Sequence, residues 1–243
     1  MKAVTKTIIW LTVFSIAMGY LETSVVVYLR KLYYPGGFRF PLIPVTRDIA
    51  ITEFWREAAT IIMLIGAGVM SGKNALQRFV FFLYSFAIWD IFYYVFLKVL
   101  LDWPEALTTW DILFLIPVPW VGPVWAPCLV SVSMIVLMAV VVRFQETGIY
   151  VRISFIEWLL LIFGSITAII SFMWDYIIYV SNYKGAEKGI WTLSSEKDMF
   201  NEVVNYVPDH FNWPLFALGQ GMIILAIILL FSRYRTTNKI KFT

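Results

Sequence analysis

Long apolar runs separated by short polar stretches organise this chain from end to end. A spanning helix needs about 20 apolar residues, because ~30 Å of hydrocarbon is crossed at ~1.5 Å per residue. Six runs qualify: 7–29, 49–70, 79–101, 124–142, 153–180 and 215–232. The second opens on Glu53, Arg56 and Glu57, and the fifth is long enough to tilt or to project from a bilayer. The first has signal-peptide traits, with Lys2 and Lys6 ahead of the apolar stretch 8–18 and small residues Ala17 and Gly19 at its end. Its hydrophobicity continues to Leu29, so it is read as an uncleaved first span.

Ahead of the fourth run the pattern changes. Residues 111–115 are apolar after Asp111, and Pro117, Pro119, Pro123 and Pro127 then crowd into one short stretch. Proline removes a backbone donor and clashes with the preceding turn, which excludes one continuous helix. The segment 111–120 is expected to be re-entrant or interfacial, since irregular backbone at membrane depth needs protein or a wet cavity around it. The expected fold is therefore an all-α integral membrane protein. It is a single polytopic domain, 1–243, of about six transmembrane helices with a Pro-rich broken or re-entrant segment before the fourth. In the loop 181–213, Ser195 with Asp198 resembles a capping box. Phe200, Val203, Val204 and Val207 follow at helical spacing up to Pro208, predicting a short amphipathic helix that lies on the membrane or binds a partner.

Composition agrees with this reading. Of 243 residues, 60% are hydrophobic and only 14% charged, with 20 Phe, 13 Tyr and 11 Trp, and mean hydropathy is +0.78. A soluble domain carries roughly a quarter charged residues, so soluble, disordered and disulfide-scaffold classes are set aside. The lone Cys128 forms no internal disulfide, and the lone His210 supplies no histidine cluster. A net charge of +3 without basic runs gives no nucleic-acid footprint.

Lysine and arginine set the expected orientation. With the N-terminus inside, Lys2, Lys6, Lys73, Arg78, Arg143, Arg152, Arg233, Arg235, Lys239 and Lys241 lie on the cytoplasmic side. Fewer lie outside: Arg30, Lys31, Arg39, Arg47, Lys184, Lys188 and Lys197. Both termini are expected in the cytoplasm and the protein in the cell membrane.

In that topology the intramembrane charges gather in the outer half. Glu22, Glu53, Arg56, Glu57, Asp90, Tyr94, Lys98, Asp111 and Asp175 are the candidate substrate- or ion-binding residues. Each intramembrane charge costs ~2.5–3.5 kcal/mol on insertion scales, so each should face the bundle and find a partner. Ser15 and Gly19 share a small-residue face with Glu22; Glu53, Glu57 and Thr60 share another beside Arg56; Asp90, Tyr94 and Lys98 step by four. Four acids (Glu22, Glu53, Glu57 and Asp90) outnumber two bases (Arg56 and Lys98). The excess calls for protons or a hard cation held by oxygens. No other cofactor is expected. Set against this working site is a structural one, in which Arg56 pins the first three spans to one another. Glu157, near the inner end of the fifth span, is the exception to the outer grouping.

Trp89-Asp90 and Trp174-Asp175 both open W-D-x-x-x-Y-V motifs, each preceded by Ser-Phe, and Trp-Pro precedes both the fourth and sixth spans. This weak repeat would relate spans three–four to spans five–six. Eight tryptophans crowd the outer half: Trp55, Trp103, Trp110, Trp120, Trp125, Trp174, Trp191 and Trp213. An interfacial belt, an apolar cavity or a partner surface each accounts for such a bias. There is no phosphate-binding glycine loop, zinc motif or nucleophile elbow. Three functions remain, in this order. One is a non-catalytic subunit or assembly factor of a membrane complex, partnered by other subunits or by its own copies. The next is a small transporter or ion conductor. The last is an enzyme acting on a lipid at the outer leaflet, with Glu22, Glu53 or Asp90 as acid/base and Arg56 holding a head group.

Overall fold

A computed structural model describes residues 3–41, 43, 46–115, 118–183 and 206–240. Its helices are α1 (Ala3–Tyr33), α2 (Arg47–Ser71), α3 (Ala75–Leu101), α4 (Trp125–Glu146), α5 (Phe155–Tyr183) and α6 (Trp213–Ile240). All six are long and apolar enough to cross a membrane. Several outrun the apolar runs because polar ends continue as helix until capped. Asn74 caps α3 by accepting from the Gln77 N–H, and α3 stops at Asp102, whose φ of 53° is left-handed.

The helix α3 packs against α1, α2 and α4, while α5 and α6 form a second pair that meets the rest through α4 and through residues 120–123 just ahead of it. Small residues set the closest approaches. Gly19 of α1, the residue expected to allow close contact, lies against α3, where a Cβ would stand 3.0 Å from the Trp89 carbonyl oxygen. Gly164 and Gly219 oppose each other where α5 crosses α6; a Cβ on either meets the other's carbonyl oxygen at 2.8 or 2.7 Å. The largest apolar core fills the end of the bundle near the termini, around Val80, Phe81, Leu137, Val141 and Leu230.

The proline-rich stretch supplies the only strands among the described residues. Strands β1 (Trp110–Phe114) and β2 (Trp120–Pro123) form an antiparallel hairpin, with Asp111 opposite Gly122 and a register shift between Ile112 and Phe114. The chemistry is local. Trp110, Ile112 and Phe114 favour a strand, Pro123 sits at a strand end, and Pro127 occupies the first turn of α4, whose N–H groups need no helical partner. The hairpin caps the end of the bundle opposite the termini. Gly122 lies against Phe172 of α5 and Phe211, with no room for a Cβ. Pro117 and the predicted capping box at Ser195 and Asp198 lie outside the described residues, as does most of the predicted surface helix.

Candidate functional site

At the hairpin end, the candidate residues fall into four linked groups. The first joins α1 to α2. Arg56 donates from Nη1 to Glu22 and from Nε to Glu53 Oε2 at 2.7 Å, while the Thr60 hydroxyl donates to the other Glu22 oxygen at 3.3 Å. Of the expected face of Glu53, Glu57 and Thr60, the first and last meet this group beside Arg56 while Glu57 leaves it, and Glu22 is the acid that Arg56 and Thr60 share. Beside it, Thr23 is fully buried and donates to the carbonyls of Gly19 and Tyr93.

The second group ties α2 to the hairpin. Glu57 turns away from Arg56 and accepts the Leu115 N–H at 3.1 Å, just beyond β1. The third ties α3 to α4: Asp90 is buried and accepts the Ser131 hydroxyl at 2.8 Å. On nearly the opposite side of α4, Ser133 meets the Gln220 amide of α6 at 2.5 Å.

The fourth ties α1 to β1. Arg30 Nη2 lies 3.2 Å from Asp111 Oδ1, with 9% of the arginine and 2% of the aspartate side chain exposed. Phe38 and Trp103 cover the guanidinium, their ring centroids 4.3 and 3.7 Å from its central carbon. Burial pushes the Asp111 carboxyl up to about 6, against the opposing pull of Arg30, the Ile112 N–H and the Tyr94 hydroxyl.

Two expected members go elsewhere. Lys98 leaves the face of Asp90 and Tyr94 and turns outward, 2.7 Å from Asp102 Oδ1 and 3.1 Å from the Pro104 carbonyl. It is the last-turn cation of α3, and its long stem reaches the exposed loop more cheaply than the apolar interior. That contact holds Asp102 below the usual carboxylate range. Asp175 accepts the Tyr206 hydroxyl at 2.6 Å and the backbone N–H groups of Asp209 and His210, fastening α5 to the segment before α6. Burial and that carboxylate push the Tyr206 hydroxyl above its ordinary value. The two W-D motifs thus serve different purposes, one between helices and one between a helix and a loop. His210 itself is exposed beside Asp209.

Arg30 was counted from sequence as a loop base, and nothing in its spacing linked it to Asp111, 81 residues away. At the other end of the bundle, Glu157 is buried and accepts from Arg233 and from the Ser154 N–H, while Ser154 Oγ accepts the Glu157 N–H. Here the signal was present: Ser154-x-x-Glu157 ahead of an apolar run is a capping box. The tryptophans are largely absorbed by the cap. Trp125 stacks on Trp213 with centroids 4.5 Å apart, Trp103 covers Arg30, and Trp120 packs on Phe114. Trp55 and Trp174 remain exposed, and Trp191 lies outside the described residues.

Chemically, among the described residues, Glu22, Glu53, Glu57, Asp90 and Asp111 have Arg30 and Arg56 as their interior bases. Such an excess is relieved by protons or by a bound cation. Among the described residues, no three His, Cys, Asp or Glu side chains are grouped to hold a metal ion. No family model, no curated protein and no solved structure matches the chain.

Proposed function

We propose that this protein is a non-catalytic component of a complex in the cell membrane, with both termini cytoplasmic and the hairpin cap outside. One observation carries the reading: the candidate charges act as ties between different elements of the chain. Glu22 with Arg56 joins α1 to α2, Glu57 joins α2 to the hairpin, Asp90 joins α3 to α4, and Arg30 with Asp111 joins α1 to β1. Charges so engaged hold a scaffold in shape. The basic residues near the termini support the orientation. Purification from native membranes in mild detergent tests it. The expected result is a second membrane protein, or further copies of this chain, at fixed stoichiometry; a lone 28.2 kDa chain under all mild conditions overturns it.

A proton-conducting role is the second reading, and Asp90 favours it. Among the described residues its carboxylate meets a serine hydroxyl and no base. Proton flux into liposomes that survives Asp90→Asn removes that reading.

A further inference from the structure

The pair Arg30–Asp111 is closed on one side only. Arg30 Nη2 meets Asp111 Oδ1 at 3.2 Å, while Arg30 Nη1 and Asp111 Oδ2 are both buried and close no hydrogen bond, the Ile112 N–H and Tyr94 hydroxyl standing beside the carboxylate without closing one to Oδ2. A planar guanidinium facing a carboxylate ordinarily makes two parallel bonds. Here one donor and one acceptor of the same pair are left over, and each buried unmade bond costs about 1–3 kcal/mol.

The cover over this pair is built from loops. Phe38 follows Gly37, whose φ is +96° and around whose Cβ position there is open space. Trp103 follows Asp102, the other left-handed residue beside the site. Both rings lie across the guanidinium, 5.9 Å apart and perpendicular to each other. They approach from different connections, one after α1 and one after α3.

We propose that Arg30 and Asp111 form the floor of a ligand site, with Phe38 and Trp103 as its lid, and that the site takes a neutral amide group. The carbonyl oxygen accepts from Arg30 Nη1 and the amide N–H donates to Asp111 Oδ2. Charge selects the class. Arginine and aspartate together are neutral, so an anion would face the carboxylate and a cation the guanidinium, whereas an amide carries one donor and one acceptor side by side. The aromatic cover suits the apolar flanks of such a group. Two sources present that chemistry, a peptide segment and the N-acyl linkage of a lipid. The inference stands whether or not the chain belongs to a larger complex.

The test uses the full chain in detergent micelles, labelled with 5-fluorotryptophan and followed by fluorine NMR. Loss of one resonance in Trp103→Phe assigns the reporter. N-methylacetamide is expected to shift it saturably, with acetate and methylammonium each at least about tenfold weaker, the factor for one buried hydrogen bond of ~1.4 kcal/mol. Arg30→Lys and Asp111→Asn are expected to abolish the shift. Because either variant can fail to fold, Phe38→Ala supplies the second arm. It leaves the pair intact and is expected to raise the ligand exchange rate several-fold. An acetate response equal to that of the amide overturns the proposal, and so does an unsaturable response, which marks a bridging water only. An unchanged exchange rate in Phe38→Ala overturns the lid. A blocked dipeptide amide and a short-chain N-acyl lipid then separate the two sources by which binds more tightly.

Discussion

Arg56 serves two acids at once, and its loss would strand both. Removing one member of a substantially buried ion pair costs ~3–5 kcal/mol, because the remaining charge keeps its desolvation without its partner. Arg56→Met is therefore expected to destabilise the bundle by about 3 kcal/mol, the lower end, since the arginine side chain is 21% exposed. Adding Glu22→Gln and Glu53→Gln should recover most of the loss. Thermal unfolding in detergent of the single and triple variants checks it, and equal destabilisation of the two would refute the pairing. Asp111 gives a pH prediction. Its folded-state value is raised to about 6 from the ordinary 3.8, so the folded chain holds this proton more tightly than the unfolded chain. Its contribution is fully present below about pH 4 and is lost as pH rises through 6. Between pH 4 and 7, wild type should lose more unfolding temperature than Asp111→Asn.

Helix ends and crossings decide the elements. Gly164 and Gly219 set the α5–α6 distance, so Gly219→Leu is expected to push the pair apart and cost at least about 2 kcal/mol, well above a substitution into open space such as Gly66→Ala. Cross-linking between cysteines placed along α5 and α6 should fall accordingly. The six helices were legible because each apolar run is as long as a span and its period needs no partner to be seen. The nearness of Arg56 to Glu53 was legible for the same reason, since residues three apart on a helix are neighbours wherever the helix lies, whereas the turn of Glu57 toward the Leu115 N–H depends on the hairpin. The hairpin was half legible. Prolines excluded a helix, but pairing Asp111 with Gly122 depends on Phe172 and Phe211 closing over the ribbon. The Arg30–Asp111 pair was not legible at all, because no periodicity spans two helices and a loop.

At the scale of the molecule, charge bias and hairpin position make opposite statements about the two ends, and each can be probed. After Cys128→Ala, a cysteine introduced at Glu105 should react with a membrane-impermeant maleimide in intact cells, and one at Glu146 only after permeabilisation. Labelling of both from the same side would discard the six-span arrangement. The order of synthesis draws a last consequence from the packing of Gly122. When β2 leaves the ribosome, Arg30 of α1 and Glu57 of α2, which hold its ribbon, already exist, yet Phe172 and Phe211 do not. A nascent chain halted after α4 therefore holds its ribbon by those ties and by Phe114 against Phe86 and Trp89 of α3, and the clasp over Gly122 shuts only as α5 and the segment before α6 arrive.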